Sequence, residues 1–184
     1  MSTTLPLSLV EIYQPIAHNS EVCIGLDYVK SQLAHDETDM SPPYQRGSVW
    51  TIAQQQAFMG HLLQGGEVLP LVFHRVPDSG KAEVLDGKQR LEAILAWLDG
   101  KVDAQLDDGR MVNVANLAMG KRHPMGLGRV NVRFRYINLP FAERVKFYVR
   151  LNSAGEKHTK QQLIDALNSV ESMSSPVTSV TEKA

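Results

Sequence analysis

Between residues 51 and 98 the hydrophobic pattern switches from helical to extended and back to helical, and this succession sets the frame for the rest of the fold. Thr51 stands where an N-cap belongs. Ile52, Phe58, Met59, Leu62 and Leu63 follow at helical spacing until Gly65 and Gly66 stop the run. Residues 68–76 then form an apolar stretch rich in Val, which predicts a buried strand. The turn Pro77-Asp78-Ser79-Gly80 leads into a second strand over 82–85, so the two read as a hairpin. Asp86-Gly87 ends that strand, and a helix over 89–98 carries Leu91, Ile94, Leu95 and Leu98 on one stripe.

The flanks are less strongly patterned. Residues 35–43 are polar, acidic and close on Pro-Pro, which predicts a loop feeding an extended Tyr44-Gln45-Arg46. A weak hairpin is expected from 102–106 and 111–114 around Asp108-Gly109, and an irregular loop over 119–128. Residues 131–139 alternate Val132, Phe134 and Tyr136 with Arg133 and Arg135, predicting a strand with one apolar and one basic face. Pro140 suits a helix start, and 141–151 continue as a helix. Thr159 with Gln162 offers a capping box for a last helix to about residue 167. Seven of the seventeen residues from 168 to 184 are Ser or Thr, so this tail is expected to be disordered. A chain of 184 residues can bury one sizeable core, and a single domain over 1–167 follows.

Charge narrows the functional classes. Nineteen basic and twenty acidic residues give a net charge of −1, which argues against a polybasic nucleic-acid coat. The charge is unevenly spread, however: residues 121–160 carry +8 and the remainder −9. Arg133 and Arg135, on the basic face of their strand, are candidates for a polyanion contact, with a solvated surface as the alternative. The single cysteine, Cys23, excludes an internal disulfide and any multi-cysteine zinc site, and fits a reducing compartment. No basic leader and no apolar run of membrane-spanning length is visible, so a soluble cytoplasmic protein with no membrane partner is expected. Neither GxxxxGK[ST] nor GxGxxG occurs, and the six histidines are scattered without HExxH.

Three short units can carry chemistry. The first is VLDGKQRL (84–91), at a strand-to-helix junction whose free backbone N–H groups and positive dipole end suit phosphate. There Gly87 permits a tight turn, Lys88 and Arg90 can meet phosphate oxygens, and Asp86 can hold Mg²⁺ or orient a water. A plain strand–turn–helix connection, with Asp86 as cap and both cations solvated, is the structural alternative. The second unit, PPYQRGSVW (42–50), sets Gln45 and Arg46 between aromatics that can equally serve as loop anchors. The third is RLNSAG (150–155), which a helix end with Gly155 as its stop would also explain.

Taken together, PPYQRGSVW, VLDGKQRLEAI and RLNSAGEKHTKQQLIDA resemble the N-terminal domain of GmrSD-type restriction enzymes, within the ParB/sulfiredoxin-like superfamily. The resemblance spans residues 42–166 and implies an α+β fold with a small mixed sheet and surrounding helices. It also implies binding and hydrolysis of a nucleoside triphosphate with Mg²⁺. The family's Asp-Gly-Gln-Gln-Arg signature maps onto Asp86, Gly87, Lys88, Gln89 and Arg90, with Asp86, Gln89 and Arg90 in the catalytic roles and Asp86 as the metal ligand. Tyr44, Gln45, Arg46, Gly87, Lys88, Arg150 and Asn152 are the implied nucleotide-binding residues.

Two departures qualify the resemblance. Lys88 replaces the usual Gln, and no His-Asn-His nuclease motif follows, so a short stand-alone form is expected. The implied setting is restriction, anti-phage defence or phage anti-defence, with DNA as substrate or effector and a separate effector protein as a further partner. Transfer of the γ-phosphate to a small-molecule or nucleic-acid hydroxyl, and a non-catalytic DNA- or protein-binding module, are the alternatives.

Overall fold

The computed structural model describes residues 19–42, 50–76, 79–117 and 126–153, with backbone only at 149, 150, 152 and 153. Its elements in chain order are β1 (Ser20–Gly25), α1 (Val29–His35), α2 (Ile52–Leu63), β2 (Leu71–Arg75), β3 (Ala82–Asp86), α3 (Lys88–Leu98), β4 (Ala104–Gln105), β5 (Met111–Val112), β6 (Asn131–Ile137) and α4 (Phe141–Ser153). The four long strands form one sheet in the order β1-β6-β2-β3. The pairs β1–β6 and β2–β3 are antiparallel, and β2–β6 is parallel. The expected α+β fold with a small mixed sheet is borne out.

Strand alternation explains why both faces of this sheet are covered. On one face Leu71, Phe73, Ala82, Val84, Val132, Phe134 and Tyr136 are buried against Met59, Leu62, Leu91, Ile94 and Trp97 from α2 and α3. Phe73 stacks on Phe134 and Tyr136, with ring centroids 4.7 and 5.5 Å apart. The opposite face pairs Val72, Leu85 and Ile137 with Val145 and Tyr148 of α4. The outer edge of β3 is paired as well: Ala82 N–H donates to Asp36 O, and Asp39 exchanges bonds with Ala82 O and Val84 N–H at 2.8 and 3.0 Å.

Thr51 caps α2 as expected, and its side chain and that of Gln54 satisfy each other's backbone N–H groups in a capping box. Gly60 in that helix has a steric role: a Cβ there would lie 1.6 Å from Gln105 O, so only glycine lets α2 close on β4.

Several boundaries differ from expectation. The strand expected over 68–76 is confined to Leu71–Arg75, because Pro70 has no N–H and the carbonyls before it go elsewhere. Val68 O accepts from Arg133 at 3.1 Å, Leu69 O accepts from Arg90, and the Leu69 side chain is exposed. The hairpin around Asp108-Gly109 shrinks to two short strands, Ala104–Gln105 and Met111–Val112. The strand expected to Leu139 stops at Ile137. Leu139 N–H turns instead to His74 Nδ1, 3.4 Å away. The extended segment at Tyr44-Gln45-Arg46, most of the irregular loop over 119–128, the last helix and the tail lie outside the described residues.

Candidate functional site

Val84 and Leu85 are buried on opposite faces of the sheet, which fixes the end of β3 and brings Asp86 to its rim. The chain must then reverse into α3. Gly87 does this at φ +89°, a conformation that L side chains rarely adopt. A Cβ on Gly87 would also fall 2.5 Å from Leu71 Cδ2 and 3.1 Å from Arg90 Nη2. As the N-cap is glycine, no side chain caps α3 from that position, and the first-turn N–H groups begin directly at Lys88.

The two cations of the signature have different roles. Arg90 is mostly buried; its Nη2 donates to Asp86 Oδ2 at 2.7 Å and its Nη1 to Leu69 O. Burial lowers its pKa from the ordinary value, while Asp86 acts in the opposite direction. Lys88 is half-buried: its ammonium donates to the Ser41 hydroxyl at 3.0 Å, and it makes no ion pair among the described residues. Gly87, not Asp86, is thus the N-cap of α3, and Arg90 is paired within the protein instead of solvated.

Gln89 accepts the Trp50 N–H on Oε1 at 2.9 Å. Trp50 in turn packs edge-on against Phe58 of α2. Lys88 and Gln89 thus hold Ser41 and Trp50, which flank residues 42–49 in sequence. Tyr44, Gln45 and Arg46 themselves lie outside the described residues.

A magnesium ion brought by a triphosphate needs one or two protein carboxylates. Asp86 fits that requirement modestly: its side chain is 30% exposed and Arg90 occupies Oδ2, leaving Oδ1 without a hydrogen bond among the described residues. Those residues contain no cluster of three or more potential metal ligands.

The third unit sits on α4, where Arg150 and Asn152 have described backbone and no described side chain. A buried polar cluster docks this helix. Arg144 Nη1 pairs with Glu83 Oε2 of β3 at 2.5 Å, and its guanidinium lies over Phe141 at 5.0 Å. Next to the pair is His74, 2% exposed, whose pKa is pushed down to about 4. Burial is the main cause and the Arg144 charge adds to it, against Glu83 and a backbone hydrogen bond at Ile137. Sequence reasoning missed this cluster because His74 lies inside an otherwise apolar run and Glu83 and Arg144 are far apart in the chain.

Arg133 and Arg135 share the sheet face opposite the main core, as their alternation predicts. Arg133 is exposed, donates to Val68 O and lies 3.6 Å from Glu21, while Arg135 donates to Asn19 Oδ1 at 2.9 Å. Glu21, directly across from Arg135 on β1, offsets part of their charge. A buried carboxylate, Asp36, accepts from Tyr136 Oη at 2.5 Å and from Gln32 Nε2 at 3.0 Å. Burial and that bond push the Tyr136 phenol up. No helix among the described residues is long and apolar enough to cross a membrane.

A family model described as "GmrSD restriction endonuclease, N-terminal domain" matches residues 29–169. Among solved structures, the C-terminally truncated chromosome-partitioning protein ParB from Caulobacter crescentus, complexed with CTP-gamma-S, is similar at 10% identity and a TM-score of 0.43. That similarity covers 80% of this chain and 70% of ParB. No curated protein matches.

Proposed function

This chain belongs to the GmrSD restriction endonuclease N-terminal domain family, and on that premise we propose that it binds a nucleoside triphosphate at the β3–α3 junction and hydrolyses it in a DNA-linked restriction or anti-restriction role. One observation carries the proposal: a glycine-capped helix start with the Lys88 ammonium in its first turn, bonded to a neutral hydroxyl and to no carboxylate among the described residues. First-turn N–H groups and the positive end of the helix dipole favour phosphate oxygens. Gly87 lets the chain turn into α3 at a φ that other residues rarely adopt, which starts those N–H groups directly after the strand.

Within this reading, Lys88 exchanges the Ser41 hydroxyl for phosphate and neutralises part of its charge. Arg90 holds Asp86 in place from within the protein. Asp86 then turns its free oxygen toward the phosphates, where it can hold Mg²⁺ or orient the attacking water. Asp86 would hold the magnesium, which would supply neutralisation of phosphate charge. Tyr44, Gln45, Arg46, Arg150 and Asn152 complete the proposed nucleotide contacts, and Arg133 with Arg135 the DNA contact. Phage anti-defence and a separate effector protein remain part of the proposal.

A second reading has an observation of its own. Asp86 and Arg90 bind each other, an arrangement that also suits a module that binds nucleotide without turning it over. Phosphate release from each of the four triphosphates with Mg²⁺, with and without DNA, separates the readings. Release that is abolished in Asp86→Asn and weakened in Lys88→Ala supports hydrolysis. Release only with an added hydroxyl acceptor points to phosphotransfer, and binding without release points to the non-catalytic module. Variants that match wild type in both binding and release refute the site.

A further inference from the structure

The signature glutamine is the residue whose observed contact is least like a catalytic one. Gln89 Oε1 accepts a main-chain donor, Trp50 N–H, at 2.9 Å across a sequence separation of 39 residues. Trp50 directly precedes Thr51, the N-cap of α2, and its ring packs against Phe58 at a centroid distance of 5.4 Å. Its N–H therefore lies just before a helix and outside any sheet ladder, so it needs an acceptor from elsewhere in the fold. The signature helix supplies one.

We infer that Gln89 is a positioning residue: its side-chain carbonyl fixes the chain at Trp50 against the first turn of α3, and so sets the spacing between the start of α2 and the proposed phosphate-binding turn. The inference rests on the nucleotide reading of that turn and gives Trp50 a role beyond core packing. Lys88 makes the matching tie at Ser41, but with different chemistry. An ammonium on a flexible stem readily exchanges a neutral hydroxyl for a phosphate oxygen. Gln89 bonds a backbone group instead, so its tie can persist whether or not ligand is bound. One of two adjacent residues is thus free to follow the ligand while the other keeps the wall of the site fixed.

Two substitutions test the tie. Gln89→Met keeps length and removes the acceptor, whereas Gln89→Glu keeps an oxygen acceptor. Amide hydrogen exchange at Trp50 is measured in the full chain, alongside steady-state triphosphate turnover. Loss of a single hydrogen bond predicts about tenfold faster exchange at Trp50 in Gln89→Met. Gln89→Glu restores the protection. In turnover, Gln89→Met raises KM about fivefold and changes kcat less than about twofold, as expected for a residue that shapes the site without touching the reacting atoms. Unchanged Trp50 exchange in Gln89→Met overturns the inference, as does a collapse of kcat while Trp50 stays protected. A wild-type chain that takes up no triphosphate refutes the nucleotide reading, while Trp50 exchange still decides the tie itself.

Discussion

Acidification is expected to destabilise this protein through His74. His74 faces Arg144 from α4, Glu83 from β3, and Ile137 and Leu139 at the end of β6. Its folded pKa of about 4 lies below the ordinary 6.5, so the native state excludes a proton that the unfolded chain accepts. The resulting stability is complete above about pH 6.5 and is lost as the pH falls toward 4. Each pH unit within that window costs about 1.4 kcal/mol, or about 2 kcal/mol by pH 5. For a chain of this size that corresponds to roughly 4–8 °C in Tm.

Asp99 is held down to about 2 by its bonds to Lys101 and Lys30, so its contribution is lost only at lower pH. The control is His74→Asn, which keeps an acceptor for Leu139 N–H and takes up no proton in this range. Urea unfolding of both proteins at several pH values between about 7.5 and 5 isolates the effect. Wild type should lose about 2 kcal/mol relative to the variant across that interval. A gap constant to within about 0.5 kcal/mol would refute the buried, neutral state of His74 and its place in the docking of α4.

Three further outcomes are expected. Gly87→Ala should lower stability by about 1–3 kcal/mol in urea unfolding, because φ +89° is strained for alanine and the added methyl meets Leu71; wild-type stability would refute a left-handed, crowded turn at Gly87. Tyr136→Phe removes a donor from buried Asp36 and should cost about 1.5–3 kcal/mol by thermal unfolding, with no change as evidence that the carboxylate is satisfied by other groups. For DNA, Arg133→Ala with Arg135→Ala should reduce the slope of log affinity against log salt by about 2, measured by fluorescence anisotropy. A slope equal to that of wild type excludes this face as the contact.

The central frame was legible because each segment there obeys a single period. Of the residues that the helical spacing singled out, Met59, Leu62, Leu91 and Ile94 are buried, whereas Ile52 in the first turn of its helix is 65% exposed, and Thr51 caps as its residue type suggests. β1 and α1 were not foreseen. The first is a largely exposed edge strand of mixed polarity, and the second has only seven residues, too few to show a periodic stripe. Pairing decided what periodicity could not: Leu69 and Val68 look like strand residues, yet two arginines distant in sequence take their carbonyls. At the candidate site the sequence identified the signature but not the division of labour within it. Arg90 is held by Asp86 and Leu69 O while Lys88 meets the Ser41 hydroxyl, and Leu69 O is a backbone atom that no motif encodes.

The most direct test of a phosphate site at the β3–α3 junction is to follow the backbone amides while a magnesium–triphosphate is titrated in, using ¹H–¹⁵N correlation spectra of the labelled chain. Saturable shifts concentrated at Gly87, Lys88, Gln89 and Arg90, and weakened in Lys88→Ala, are the expected result. Amides at that turn that stay still for all four triphosphates, or shifts that cluster elsewhere in the fold, would contradict it.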